Sequence, residues 1–203
     1  VPIIIAGGVW SLADWQDYID NPEVSIEDLI RIVPGPDFPT GGLVVNEDEL
    51  LEIYETGMGK VKIRGKVEVE DIKGGKKRLV ITEIPYTMIG AGIGKFLNDV
   101  AALVENKTTG DIVDISNQSS KEGIRIVIEL KKDADVENLK NMLYKKTKLE
   151  DTFGVNMLAI VDGKPEVLGL KQILEHCTAF QYEINTRKYT TLLEKDKEQK
   201  EIK

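Results

Sequence analysis

Apolar and polar positions alternate along Lys60 to Ile72. Val61, Ile63, Val67 and Val69 fall on one parity, and Lys60, Lys62, Arg64 and Lys66 on the other, with Glu68 and Glu70 continuing the polar row. Successive strand residues point to opposite faces, so the pattern predicts one long half-buried antiparallel strand with a wet face. Lys73-Gly74-Gly75-Lys76 predicts a tight turn, and Arg78 to Ile84 the returning strand of a hairpin. Shorter strands are predicted at Leu43-Val44-Val45, Ile112 to Ser116 and Gly123 to Lys131, where Ile124, Ile126, Ile128 and Leu130 alternate. Another runs from Thr152 to Val161, turns at Asp162-Gly163 and returns through Val167.

Helical spacing separates these strands. Ser25, with Asp28 three residues on, predicts a capped helix carrying Ile26, Leu29, Ile30 and Val33 and stopped by Pro34. Asn46 is predicted to cap a helix with Leu50, Leu51 and Tyr54 on its apolar side, ending at Gly57. A helix over about 92–105 turns Ile93, Phe96, Leu97, Val100 and Val104 inward, and Asp135 caps another with Leu139, Met142 and Leu143. From Leu170, apolar residues recur at three- and four-residue steps through Ile184, and the chain then runs on, largely charged, without Gly or Pro. That is one long helix outrunning the core and beginning a coiled coil. Pro34 to Gly42 holds three prolines and three glycines in nine residues and predicts a rigid, irregular loop. Trp10 and Trp15, five apart, do not share a helical face.

The fold class is therefore α+β: a mixed, mainly antiparallel sheet with packed helices, plus a long C-terminal helix. Three segments are expected: a leader over 1–24, an α+β domain over 25–168, and an arm over 169–203.

Composition and charge add constraints. Apolar residues make up 41% of the 203 and charged residues 31%, a globular balance with material for a core. The longest opening apolar run, Ile3 to Ala6, is far short of the ~20 residues that span a bilayer, and no stretch reads as a signal peptide. The single cysteine, Cys177, excludes an internal disulfide and fits a cytoplasmic setting. A net charge of −8 weighs against nucleic-acid binding over the whole surface, because a binder must neutralise phosphates. Between Lys60 and Arg78, however, eight basic side chains stand against three acidic ones. A basic hairpin thus lies inside an acidic protein.

That hairpin is the leading functional candidate. Alternate strand side chains are about 7 Å apart, close to the spacing of successive phosphates, so the row can hold a duplex backbone without reading sequence. The competing reading is a solvated sheet face. His176 and Cys177 are adjacent on a helix, point different ways and have no further His or Cys for a zinc site, so packing is favoured. Asp111, Asp114 and Glu122 match no metal loop. Gly90, Gly92 and Gly94 lack the full dinucleotide fingerprint and favour a loose helix entry.

Five strings in order carry a family resemblance: Pro34 to Gly42, Tyr54 to Val61, Ile81 to Tyr86, Gly123 to Lys131, and Thr152 to Met157. From about Asp20 to the C-terminus the chain resembles the A subunits of DNA gyrase and topoisomerase IV, bacterial type IIA DNA topoisomerases. The 1–24 leader is poorly matched. The resemblance implies the tower domain of the DNA breakage–reunion core, followed by the start of the coiled coil, in an enzyme of ATP-dependent double-strand passage. It implies DNA contacts at Lys60, Lys62, Arg64 and Lys66, and weaker ones at the turn Thr40, Gly41 and Gly42. Where the family carries arginine before Gly59 this chain has Met58, which removes one implied phosphate contact.

The family's nucleophilic tyrosine belongs to a winged-helix domain upstream of the tower. Arg187-Lys188-Tyr189 aligns with the coiled-coil start, so Tyr189 takes no catalytic role, and this chain alone is expected to be inactive. No cofactor is expected in it; Mg2+ and ATP act in the parent complex through the B subunit. The implied partners are duplex DNA, the B subunit, with a further copy of the A subunit, but no membrane. The alternatives are a non-catalytic protein-interaction module presenting the basic hairpin to an acidic surface, and a small metabolic enzyme holding phosphate at Gly90 to Gly94.

Overall fold

The computed structural model describes residues 4–5, 8–9, 19–21 and 23–201. Trp10 and Trp15 lie outside the described residues, as does most of the leader. Within it, β1 (Ile4–Ile5) pairs antiparallel with β2 (Gly8–Val9). The fold is α+β, and the chain divides into two compact units: one of residues 1–34, 51–59 and 156–203, the other of residues 35–50 and 60–155.

The long strand expected over Lys60 to Ile72 is two strands. β3 (Leu43–Val44) and β4 (Met58–Arg64) belong, with β9 (Glu150–Asn156), to a three-stranded sheet in the order β3-β4-β9. β5 (Lys66–Ile72) belongs to a four-stranded sheet in the order β5-β6-β8-β7, with β6 (Lys76–Glu83), β7 (Ile112–Asn117) and β8 (Ile126–Leu130). The break is Gly65. Its N–H donates to the Leu149 carbonyl at 2.7 Å. A Cβ there would sit 2.6 Å from Leu149 Cδ1 and 2.8 Å from the Glu83 carbonyl oxygen. Only glycine lets the chain pass so close and leave one sheet for the other.

The hairpin itself stands as expected. β5 pairs with β6 from Lys66↔Glu83 to Ile72↔Lys76, and Gly74 and Gly75 take φ of 88° and 73° in the turn, values at which glycine carries no steric penalty. β8 is shorter than the predicted Gly123 to Lys131. As an inner strand it buries Ile126, Val127 and Ile128 in succession, so clean alternation gives way to burial on both faces. α3 (Ala91–Glu105) and α4 (Val136–Lys146) close the core. Phe96, Val100, Leu139 and Leu143 pack there with Leu79, Ile81, Ile126, Ile128 and Leu130. Asp135 caps α4 by accepting the Asn138 N–H at 3.1 Å.

In the first unit, α1 (Ile26–Ile32) is capped by Ser25, whose hydroxyl oxygen accepts the Asp28 N–H at 3.1 Å. α2 (Leu50–Thr56) ends at Gly57, with φ 75°. The strand predicted over Thr152 to Val161 is interrupted at Met157, whose N–H donates to Gly57 and whose carbonyl accepts from Leu168. β10 (Leu158–Val161) then forms its own hairpin with β11 (Lys164–Val167), turning at Asp162-Gly163. α5 (Leu170–Glu201) buries Leu170 and Leu174, while Phe180, Tyr182, Ile184, Tyr189, Leu192 and Leu193 are exposed. No helix among the described residues is long and apolar enough to cross a membrane.

Candidate nucleic-acid interface

The polar parity of β4 forms one face of the three-stranded sheet. Val61 and Ile63 are buried beneath it, and Lys60 and Lys62 are exposed above. Asn46 fixes this stretch. Its side-chain amide donates to the Lys60 carbonyl at 2.9 Å, and its side-chain oxygen accepts the Lys62 N–H at 2.7 Å. The sequence predicts Asn46 as a helix cap. The short 3-10 turn that follows, Glu47–Glu49, receives no side-chain cap from it, because both polar atoms of the amide are committed to β4.

The four cations singled out in sequence divide into two kinds. Among the described residues Lys60 and Lys62 make no ion pair. Arg64 does: its Nε donates to Glu150 at 2.7 Å and a second nitrogen reaches the same carboxylate oxygen. The guanidinium also lies 4.5 Å from the centre of the Tyr144 ring, and Tyr144 in turn donates its hydroxyl to the Gly65 carbonyl at 3.1 Å. Arg64 is thereby part of the knot that holds the Gly65 break. Lys66 lies beyond that break, on the other sheet, with its ammonium 3.4 Å from Glu68 and 3.7 Å from Glu83. The structure does not bring Lys66 into the Lys60–Lys62 row.

The Thr40-Gly41-Gly42 turn is also internally committed. Gly42 donates its N–H to Glu83 at 2.6 Å. Gly41 and Gly42 take φ of 67° and 109°, and a Cβ on Gly41 would overlap the Glu83 carboxylate. The Thr40 carbonyl accepts the Ile84 N–H at 3.2 Å, and the buried Thr40 hydroxyl has no partner among the described residues. These glycines admit a carboxylate from within the unit.

β9 completes the face. The Gly65–Leu149 hydrogen bond and the Arg64–Glu150 pair fix β9 antiparallel to β4, which sets Thr152 opposite Lys62 and Gly154 opposite Lys60. Thr152 and Gly154 are exposed. The other parity is anchored: Phe153 meets Phe38 at 5.1 Å between ring centres and Tyr86 at 6.1 Å. Asp151 accepts the Thr87 hydroxyl at 2.7 Å. Burial raises the Asp151 pKa, but the Thr87 hydroxyl, the Thr152 N–H and Lys148 outweigh it and hold the carboxyl below its ordinary value. Sequence reading misses Asn46, Tyr144, Glu150 and Gly154 as parts of this region. The side-chain partners of the first three lie 14 to 86 residues away, and no local pattern announces such contacts.

On the hairpin, Glu70 is held between Arg78, 2.7 Å from Nε, and Arg125 at 3.3 Å. The Arg78 hydrogen bond keeps its pKa below the usual value. Arg78 is therefore neutralised too, while Lys73, Lys76 and Lys77 near the turn make no ion pair among the described residues.

The remaining chemical candidates stay apart. His176 is exposed and Cys177 half-buried on α5; burial pushes the Cys177 thiol above its ordinary value, the opposite of what a nucleophile requires. Tyr189 is exposed on α5, with Lys188 5.7 Å from its ring centre. Among the described residues no group of three His, Cys, Asp or Glu side chains is arranged to hold a metal ion. Gly90, with φ 70°, is the N-cap residue of α3 and makes no side-chain cap hydrogen bond.

An α+β unit offering an exposed lysine face on a small sheet, in a chain whose other unit carries a long helix, defines a class of binding or scaffolding proteins. Comparison with known proteins narrows it. The family model for the A subunits of DNA gyrase/topoisomerase IV matches residues 12–203, and the chain belongs to that family. The match begins somewhat earlier than the resemblance from about Asp20. The chain is 46% identical over 177 residues to the gyrase A subunit of Clostridium acetobutylicum, covering 87% of this chain and 21% of that protein. It is 39% identical over 171 residues to the topoisomerase 4 A subunit of Staphylococcus epidermidis, covering 84% and 21%. It is 46% identical over 156 residues to the topoisomerase 4 A subunit of Streptococcus pyogenes, covering 77% and 19%. The chain thus spans about a fifth of the length of the curated relatives it matches.

Proposed function

We propose that this chain is a DNA-supporting tower segment of a type IIA topoisomerase A subunit, and that it holds duplex DNA by its phosphate backbone. The observation that carries the reading is the pair Lys60 and Lys62: neighbours on one strand face, exposed, clamped at the backbone by Asn46, and free of carboxylates among the described residues. Two ammonium groups about 7 Å apart suit successive phosphates and read no base. Arg64 and Lys66 are secondary candidates, since each is already paired with carboxylates. The Thr40-Gly41-Gly42 turn serves the fold before it serves DNA. In the parent enzyme the segment would work beside another copy of the A subunit, while the B subunit supplies the ATP and Mg2+ chemistry. This chain's own part is to position DNA, and no chemical step is assigned to it.

The test is fluorescence anisotropy with a labelled mixed-sequence duplex at low salt, comparing the chain with Lys60→Glu/Lys62→Glu. Both substituted positions are exposed, so the thermal midpoint should hold. Affinity is expected to fall at least about tenfold. Equal affinity in the two proteins would refute the assignment. A non-catalytic module binding an acidic protein through the same lysines predicts no duplex binding by either.

A further inference from the structure

The glycines around this sheet are mostly forced. Gly41, Gly42 and Gly65 each have an atom of the fold where a side chain would begin, and Gly74 and Gly75 occupy a turn with positive φ. At Gly59 in β4 that space is filled by Ile53. Gly154 answers to none of these causes. It lies inside β9, outside the positive-φ region, and a Cβ built on it meets no atom within 4 Å. Glycine within a strand weakens it, having no side chain to pack and more freedom to lose. Nothing in the packing around Gly154 compensates for that weakness.

Its position supplies the reason. Gly154 is exposed, on the edge strand of the β3-β4-β9 sheet, directly across from Lys60 and one pleat from the Thr152–Lys62 pair. The flanking position on the opposite face is tied down by Phe153 in its cluster with Phe38 and Tyr86, so the strand is held although this residue contributes nothing. Bare backbone beside a lysine lets a bulky anion come closer to the sheet than a side chain at that position would allow.

We infer that Gly154 is a clearance residue: its missing side chain opens a shallow saddle beside Lys60 into which the phosphodiester backbone of a duplex settles. The inference rests on the DNA-supporting reading above and adds a shape requirement to its charge requirement. The saddle takes no part in base recognition, so its effect is the same on any duplex sequence.

The experiment uses the whole chain, a labelled mixed-sequence duplex, and the variants Gly154→Ala, Gly154→Val and Lys60→Glu/Lys62→Glu. A purely structural glycine and a clearance glycine predict different pairs of readouts. Valine suits an extended, open strand position, so the thermal midpoint should stay level or rise in Gly154→Val. Duplex affinity should fall about tenfold in the same protein and less in Gly154→Ala, with the salt dependence little changed because the lysines remain. Wild-type affinity in Gly154→Val, alongside lost affinity in the lysine variant, would overturn the saddle and leave the DNA reading intact. Wild-type affinity in the lysine variant would overturn the DNA reading itself. Should Gly154→Val lower the midpoint, Gly154→Ala decides: a folded alanine variant with unaltered affinity also overturns the inference.

Discussion

At the scale of single residues, burial sets one pH response with a definite sign. Tyr54 is 3% exposed and donates its hydroxyl to the Val33 carbonyl at 3.1 Å. Burial raises its pKa to about 12. The folded state thus holds the phenol proton that the unfolded chain releases near pH ~10. A group with a raised folded pKa contributes its stability fully below the unfolded pKa and loses it as pH climbs towards the folded one. Denaturant midpoints should therefore decline between about pH 10 and about 12. Tyr54→Phe forfeits the hydrogen bond, costing about 1 kcal/mol at neutral pH, yet its midpoint should decline less over the alkaline range. An equal alkaline decline in both proteins would assign the response to other groups.

At the scale of elements, most of the fold is legible in sequence, and the parts that are not share one cause. Ser25 and Asp135 announce their helices because a cap acts within three residues. The hairpin of β5 and β6 is announced by Gly74-Gly75, and the buried face of α3 by the spacing of Phe96 and Val100. Alternation reports which residues share a face, but it says nothing about which strand lies alongside. The period is unbroken through Gly65, although β4 and β5 join different sheets there. The same blindness merges β9 with β10 across Met157. It also turns four aligned cations into one expected row, where the structure separates Lys66 from it and ties Arg64 to Glu150. The choice of neighbour depends on Leu149, Glu83 and Tyr144, and those contacts exist only once the chain has folded.

Asn46 puts that distinction to a direct test. Read as a cap, it should tolerate Asn46→Ser, because serine caps about as well as asparagine. Its observed bonds run instead to the Lys60 carbonyl and Lys62 N–H, and a serine side chain is too short to serve both. Asn46→Ser and Asn46→Ala should lose similar stability, about 1–2 kcal/mol each for two hydrogen bonds, measured by urea unfolding. Recovery of full stability in the serine variant would restore the capping role.

At the scale of the whole molecule, charge limits how the proposed DNA support can work. A net charge of −8 repels a polyanion at long range, so the proposed duplex binding would have to come from a local face and stay weak. The number of cations in that face is measurable, since each phosphate neutralised on a duplex contributes about −0.9 to the slope of log K against log salt. Lys60 and Lys62 alone give a slope of about −1.8. If Arg64 and Lys66 abandon Glu150, Glu68 and Glu83 to join them, the slope approaches about −3.6. The intact ion pairs favour the shallower value: leaving Glu150 half-buried without its partner carries a desolvation penalty that one more phosphate contact does not offset. A slope near about −2 that collapses in Lys60→Glu/Lys62→Glu is therefore expected. A slope much steeper than about −4 would require further cations. Lys73, Lys76 and Lys77 at the hairpin turn would then be the next to replace, because they too lack carboxylate partners among the described residues.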